Sequence, residues 1–399
     1  MSGNTRNRDR RDRYYEDDYD YEYEERRARS RSHSSRSSSA KKRAAMEAKK
    51  RAKKRRRIVL LIAEIIVLAG LVGLVWFVKQ GTSIQKVTIN EDDIVINETV
   101  ASSETLKGYK NIALFGVDAR DKSLGKGNRS DTIIIASINE DTGEVRLCSV
   151  FRDTYLNLGN DTYNKCNAAY AKGGPEQAIN MLNMNLDLNI TDYVTVGFTG
   201  LAKIVDALGG ITIDVQENEI PHLNNYQISM VGKSDDDKIF YATEGKDYTA
   251  VTSPGVQKLN GLQATAYCRI RYVGDDFMRA QRQRTVLAAV MDVCKQSDPA
   301  TLNKILNAAL PNVSTSLDVD EMTAMLSNVT KYNITGSDGF PFESNRATGT
   351  VGSKGSCVIP VNLEQNVALL HNFLFDDSAY QVSAQVKQYS NKVSSDTGR

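Results

Sequence analysis

Residues 111–118 read NIALFGVD, residues 131–139 read DTIIIASIN and residues 145–153 read VRLCSVFRD. Each carries a short apolar run rich in Ile, Val and Leu, the length and β-branched content of a buried strand. Between the second and third lies NEDTG (139–143), a turn signal that closes a hairpin. If the first strand runs upward, the second descends and the third rises again. Asp118 at the end of the first, Asp131 at the start of the second and Arg152-Asp153 at the end of the third then reach one edge of a sheet. Up to 35 positions separate them in the chain.

Beyond this nucleus, 175–186 predicts a helix, 193–198 a strand, 199–208 a helix stopped by Gly209-Gly210, and 211–215 a strand. Residues 216–258 are polar and irregular, as an inserted loop region is. A strand is expected over 264–272, a helix over 277–295, and further helical stretches over 299–309, 319–332 and 363–376. Together they make an α/β domain over 108–380, with a polar, β-prone stalk (79–107) before it and a loose polar tail (381–399) after it.

Of the 399 residues, 51 are Lys/Arg and 49 Asp/Glu, for a net charge of +2. That balance hides a split. Residues 1–57 hold 21 basic and 10 acidic side chains, leaving 30 and 39 for the remainder. At the junction, 58–78 reads IVLLIAEIIVLAGLVGLVWFV, 21 positions whose one charge is Glu64. At about 1.5 Å per residue, a helix of this length crosses a hydrocarbon core of about 30 Å. Eleven Lys/Arg lie in 41–57, so the positive-inside rule places the N-terminus in the cytoplasm and the domain outside a single-pass span. The tail 1–57 is poor in aliphatic residues and reads as disordered. Its basic cluster abuts the span, which favours anionic membrane lipid over nucleic acid as the partner.

Five cysteines show no zinc-type spacing, and Cys148 and Cys268 sit in apolar patterns where a thiol acts as a small hydrophobe. Three histidines in unrelated contexts give a Ser/His/Asp or Cys/His nucleophile little support. The chemistry lies elsewhere. Asp118 and Asp131 at one sheet edge suit Mg²⁺ (or Mn²⁺), a hard cation held by one or two carboxylates and substrate phosphates. Arg269 and Arg271 flank Ile270 on an expected strand, so both share a face. Arg279, Arg282 and Gln283 follow at i, i+3 and i+4 of a helix, with Arg284 beside them and Asp275 or Asp276 as N-cap. Any one of these residues is as well read as a cap or an ordinary ion pair. Guanidinium forks beside a carboxylate-held cation, taken together, describe a site for pyrophosphate or phosphoryl transfer.

In order along the chain stand NIALFGVDAR, RSDTIIIASIN, FRDTYLNL, NKCNAAYAKGG, GLAKIVDALGGITIDV, LNGLQATAYCRIRY and DDFMRAQRQRTVL. These seven blocks, over about 108–295, resemble the LytR–CpsA–Psr phosphotransferases of bacterial cell envelopes. Phe151 departs from the proline more usual before Arg-Asp in that family. The resemblance implies a three-layer α/β/α fold with a central mixed sheet and an apolar lipid pocket. It implies transfer of a glycopolymer from a polyprenyl-pyrophosphate carrier onto peptidoglycan. Carried onto this chain, Asp118 and Asp131 hold Mg²⁺. Arg152, Arg269, Arg271, Arg279, Arg282 and Gln283 engage the diphosphate, and Asp153 supports Arg152 or takes the acceptor's proton. A pyrophosphatase acting through the same site and a membrane-tethered regulator are the alternative functions.

Overall fold

Alternation along the first three strands decides the layers. The computed structural model describes residues 89, 91–119, 124–234 and 240–399. The expected cytoplasmic tail (1–57) and membrane span (58–78) lie outside them, and among the described residues no helix is long and apolar enough to cross a membrane. Strands β1 (Tyr109–Val117), β2 (Ser130–Asn139) and β3 (Glu144–Val150) form the expected antiparallel meander. β4 (Asp192–Gly197) runs parallel to β1, β5 (Val313–Thr315) antiparallel to β4, and β6 (Asn333–Phe340) parallel to β3. The order β5-β4-β1-β2-β3-β6 is a mixed sheet. β1, β3, β4 and β6 all direct their carboxyl ends to one edge, the edge at which α/β sheets take ligands.

Nine helices matter below: α1 (Asn167–Leu186), α2 (Phe198–Ala207), α3 (Ile220–Val231), α4 (Gly261–Tyr267), α5 (Asp276–Gln296), α6 (Pro299–Ala309), α7 (Val319–Ser327), α8 (Leu363–Phe375) and α9 (Ala384–Thr397). Ala113, Phe115, Val117, Ile133, Ile135, Cys148 and Val150 face one way and pack with α1, α8 and α9. Ile112, Ile134, Ala136, Val145 and Leu147 face the other, with Leu287 of α5 and Met325 of α7 against them. Period-two patterning buried on both faces gives the three-layer α/β/α arrangement. A second core beneath α2–α6 includes the ribbon Ile211–Val215 with Gly255–Leu259.

Five expectations need correction. The stretch 264–272 is not a strand. Asn260 accepts from the Gln263 amide and Gln263 returns a bond to Asn260, a capping box that starts α4. Gly261 donates to Asp206 of α2 at 2.7 Å, and a Cβ there would stand 2.0 Å from the Ala202 carbonyl oxygen, so the two helices meet only through glycine. The chain then turns through 268–274. The tail 381–399 holds α9, capped by Ser383, with Val386, Tyr389 and Val393 buried at helical spacing. Val100 and Leu106 of the supposed stalk belong to the main core, on two short helices (Glu98–Ala101 and Glu104–Lys107). The polar insertion contains α3, and the helix expected over 319–332 ends at Ser327.

All five cysteines are buried and free. His371 is buried, stacked on Tyr380 at 3.5 Å and bonded to the Leu186 carbonyl, and its burial lowers the pKa to about 4.

Candidate active site

The register of β1 with β2 slips where it matters. Gly116 pairs with Thr132 and Val117 with Ser130, so Asp131 is the extra residue of a β-bulge. Bulges re-aim side chains at sheet edges. The Asp131 carboxylate meets Arg152 (Oδ1–Nη1 2.6 Å) and Arg271 (Oδ2–Nη2 3.8 Å). Arg152 stands just beyond β3, and its backbone is held from behind: its carbonyl accepts from Asn167, and the Cys166 thiol donates to the Phe151 carbonyl at 3.1 Å. Asp118 is exposed, one residue past β1 and opposite the start of β2.

Asp275 is the N-cap of α5, accepting from the amides of Phe277 and Met278, which is worth about 1 kcal/mol. Asp276 is thereby turned toward the sheet edge. It approaches Arg152 (3.4 Å), Arg279 (3.4 Å) and Arg271 (4.0 Å). Asp153 lies 3.8 Å from Arg152 and 3.5 Å from Lys165. Burial works against the charge of Arg152, yet Asp131, then Asp276 and Asp153, raise its pKa above the ordinary value. Arg279 lacks that compensation. Burial, followed by the neighbouring Arg152 charge, pushes it down to about 10. The Nε groups of both arginines are buried without a hydrogen-bond acceptor. An unmet buried donor costs about 1–3 kcal/mol, a cost an entering oxyanion removes.

The cluster walls a small polar hollow of about 320 Å³, lined by Asp131, Thr132, Arg152, Asp153, Asp276, Arg279 and Gln283 among others. Behind it opens an apolar cavity of about 910 Å³ between the sheet and α2 and α5, with Leu114, Ile134, Val196, Ile204, Val286 and Leu287 in its wall. Thr132 and Gln283 line both. Charged side chains thus wall the one space and apolar side chains the other.

Of the expected phosphate ligands, Arg152, Arg271, Arg279 and Gln283 gather here, with Asp131 and Asp153. Two do not. Because 268–274 is a turn, Arg269 parts from Arg271, and its guanidinium lies over Phe198 (4.5 Å) and Tyr226 (5.5 Å). Arg282 is 3% exposed and fills its donors inside the protein: Nε to Glu219 at 2.6 Å, Nη1 to the Ile270 carbonyl and Nη2 to the Val273 carbonyl. It holds the turn that presents Arg271.

Sequence reasoning missed Asp276 and Lys165 as cluster members. It also missed the C-terminal hairpin Arg346–Thr350/Ser356–Pro360, whose Val358 lines the polar hollow and donates to the Asp153 carbonyl at 2.9 Å. Asp276 carried a signal in its place beside the capping Asp275. The hairpin carried none, because its contact with residue 153 is a matter of tertiary folding.

A model of the LytR_cpsA_psr family matches residues 74–356. Biofilm regulatory protein A of Streptococcus mutans is 30% identical over 70% of this chain and 72% of its own length. The polyisoprenyl-teichoic acid–peptidoglycan teichoic acid transferase TagU of Enterococcus faecalis is 31% identical over 53% of this chain, and the match spans 63% of that protein. Among solved structures, TagV of Bacillus subtilis is 26% identical, with a TM-score of 0.50 over 67% of this chain and 98% of that one.

Proposed function

This chain belongs to the LytR_cpsA_psr (LytR–CpsA–Psr) family, and from that premise we propose that it transfers a glycopolymer from a polyprenyl-pyrophosphate carrier onto peptidoglycan. One observation carries the reading: the guanidinium-walled hollow and the apolar cavity share Thr132 and Gln283. That junction suits a diphosphate whose prenyl chain turns inward among Leu114, Ile204 and Leu287 while the glycan leaves outward.

In the reaction the acceptor hydroxyl oxygen bonds to the glycan-side phosphorus. The bond from that phosphorus to the bridging oxygen breaks, and the prenyl phosphate departs with the electron pair. Arg152, Arg271 and Arg279 hold the non-bridging oxygens and the growing charge on the bridging oxygen, and a single such donor typically supplies 10²–10³ in rate. Asp153 lines the hollow where the acceptor enters and takes the hydroxyl proton. Gln283 orients the head at the neck of the cavity. Arg282 acts from inside by fixing the turn below Arg271, and Arg269 braces Phe198, a cavity-wall residue.

The carboxylates at the sheet edge suit a divalent cation. A diphosphate ester adds two negative charges beside the Asp131, Asp153 and Asp276 carboxylates, and Mg²⁺ (or Mn²⁺) would offset that local crowding of anions. Asp118 and Asp131, on adjoining strand ends, are the residues to hold it. When bound, the ion supplies charge neutralisation at the phosphoryl oxygens. Residues 58–78 supply the membrane anchor in this proposal, with the domain on the outer face, where a donor already activated as a pyrophosphate needs no ATP.

The test is mass spectrometry of lipid that copurifies with the full chain from its native membrane, paired with reconstituted transfer. A prenyl phosphate or pyrophosphate is expected, and transfer stops in EDTA and returns with Mg²⁺ or Mn²⁺. Leu287→Trp, which fills the cavity, lowers kcat/KM about tenfold for a long-chain donor and little for a short one. No bound prenyl lipid together with no tail-length dependence would reject the proposal.

A further inference from the structure

Three side chains from three separate elements meet behind Arg152. Phe151 follows β3, Phe277 stands in the first turn of α5, and Arg346 opens the C-terminal hairpin. The Phe151 and Phe277 rings meet edge to face, with centroids 4.5 Å apart and planes at 73°. The guanidinium carbon of Arg346 lies 3.9 Å from the Phe277 centroid and 5.3 Å from that of Phe151. Ring quadrupoles make both the edge-to-face pair and the stacked cation attractive. The carboxylate nearby, Glu343, is exposed and stands 4.0 Å from Arg346, a pair that water weakens.

The fold makes room for the Phe151 ring. Gly339 of β6 passes against it, and a Cβ there would stand 2.3 Å from the ring's Cζ. The Phe151 amide donates to the Phe340 carbonyl at 3.0 Å, and its own carbonyl accepts from Thr154 at 2.8 Å. Ala280 and Val358 complete the cluster, leaving Phe151 5% exposed. Ring and backbone of residue 151 are thus both fixed, immediately before Arg152.

The chain neighbours of these rings are the charged groups of the hollow. Phe151 precedes Arg152, and Phe277 lies between Asp276 and Arg279. Contact between the rings therefore sets the end of β3 against the start of α5, where Arg152 approaches Asp276 at 3.4 Å. Phe277 and Arg346 stand outside the lining of the hollow, so they act through the residues they hold.

We propose that Arg346 and the Phe151–Phe277 pair are positioning residues, a clamp that sets the spacing of Arg152 from Asp276 and Arg279 for capture of a diphosphate. The inference deepens the transferase reading and rests on it for that ligand. Loss of the clamp leaves every phosphate-binding side chain in the protein and alters only its placement. Misplacement by about 1 Å can cost about 10²-fold in rate.

The probe is inorganic pyrophosphate with Mg²⁺, and its binding to the full chain in detergent is followed by calorimetry, apart from transfer. Phe277→Leu and Arg346→Met each weaken binding about tenfold, and Phe277→Tyr, which keeps the ring, regains most of the affinity. In an Arg152→Ala background the same two substitutions change little further, because the group they position is gone. In reconstituted transfer they lower kcat about tenfold and leave the acceptor KM in place. Arg346→Met removes a cation from a side chain 18% exposed, so it reports even if Phe277→Leu fails to fold. A role confined to stability would lower the thermal midpoint and leave the Kd of the folded protein unchanged. That result overturns the proposal, as do losses that simply add to that of Arg152→Ala, or a wild type that does not bind pyrophosphate. Coupled loss of pyrophosphate affinity in a chain that transfers no polymer would leave the clamp standing and the transferase reading refuted.

Discussion

Arg279 and Arg282 lie three residues apart on α5 and are equally hidden, at 4% and 3% exposure. Their surroundings are opposites. Arg282 closes on Glu219 at 2.6 Å and spends its other donors on two turn carbonyls. Arg279 has only a 3.4 Å approach to Asp276, an unaccepted Nε and a depressed pKa. A buried charge fully met by the protein is part of the scaffold, while one left partly unmet is a socket. Burial and residue type do not separate the two; the inventory of partners does.

That contrast can be broken most forcefully at Arg282. Arg282→Ala strands Glu219 as an unpaired buried charge and should cost about 3–5 kcal/mol of stability, read as a lower denaturant midpoint. Activity per folded molecule should fall less steeply than stability does, through the turn below Arg271 that loses its anchor. Arg152→Ala should do the reverse. Transfer drops about 10²–10³-fold while the thermal midpoint moves by a few degrees at most, because the lost cation faced an open hollow. If Arg152→Ala unfolded the chain and Arg282→Ala merely slowed it, the distinction would be inverted.

Acid sharpens the comparison from the scaffold side. His371 titrates near 6.5 when unfolded and near 4 in the fold, so between these values the unfolded chain binds the extra proton. Stability is therefore whole above about pH 6.5 and declines as pH falls toward 4, by about 3 kcal/mol at 1.36 kcal/mol per pH unit. His371→Phe should flatten that slope in a chemical-denaturation series without shifting the pH profile of transfer. An unchanged slope would show that the ring is not the group that carries acid sensitivity.

How much of this was readable beforehand follows from locality. The β1–β3 meander and the meeting of Asp131 with Arg152 rest on apolar runs and one hairpin signal, which neighbours in the chain specify. The 264–272 segment misled because ATAYCRI is apolar enough for a strand, and only the Asn260/Gln263 capping box and the passage of Gly261 past Ala202 make its first half helical. α9 was hidden by polarity, since Val386, Tyr389 and Val393 are a thin stripe in a polar sequence. The separate fates of Arg279 and Arg282 could not be read at all. Both arginines belong to one helical face, and Glu219, which settles the matter, lies 63 residues away on another element.

The bond from Val358 to the Asp153 carbonyl ties the closing portion of the chain to a dipeptide made some two hundred positions earlier. Polypeptide emerging in order thus possesses its reactive groups long before it possesses their enclosure. A product terminated before the hairpin is then not a slower catalyst but an unwalled one, its arginines open to bulk water.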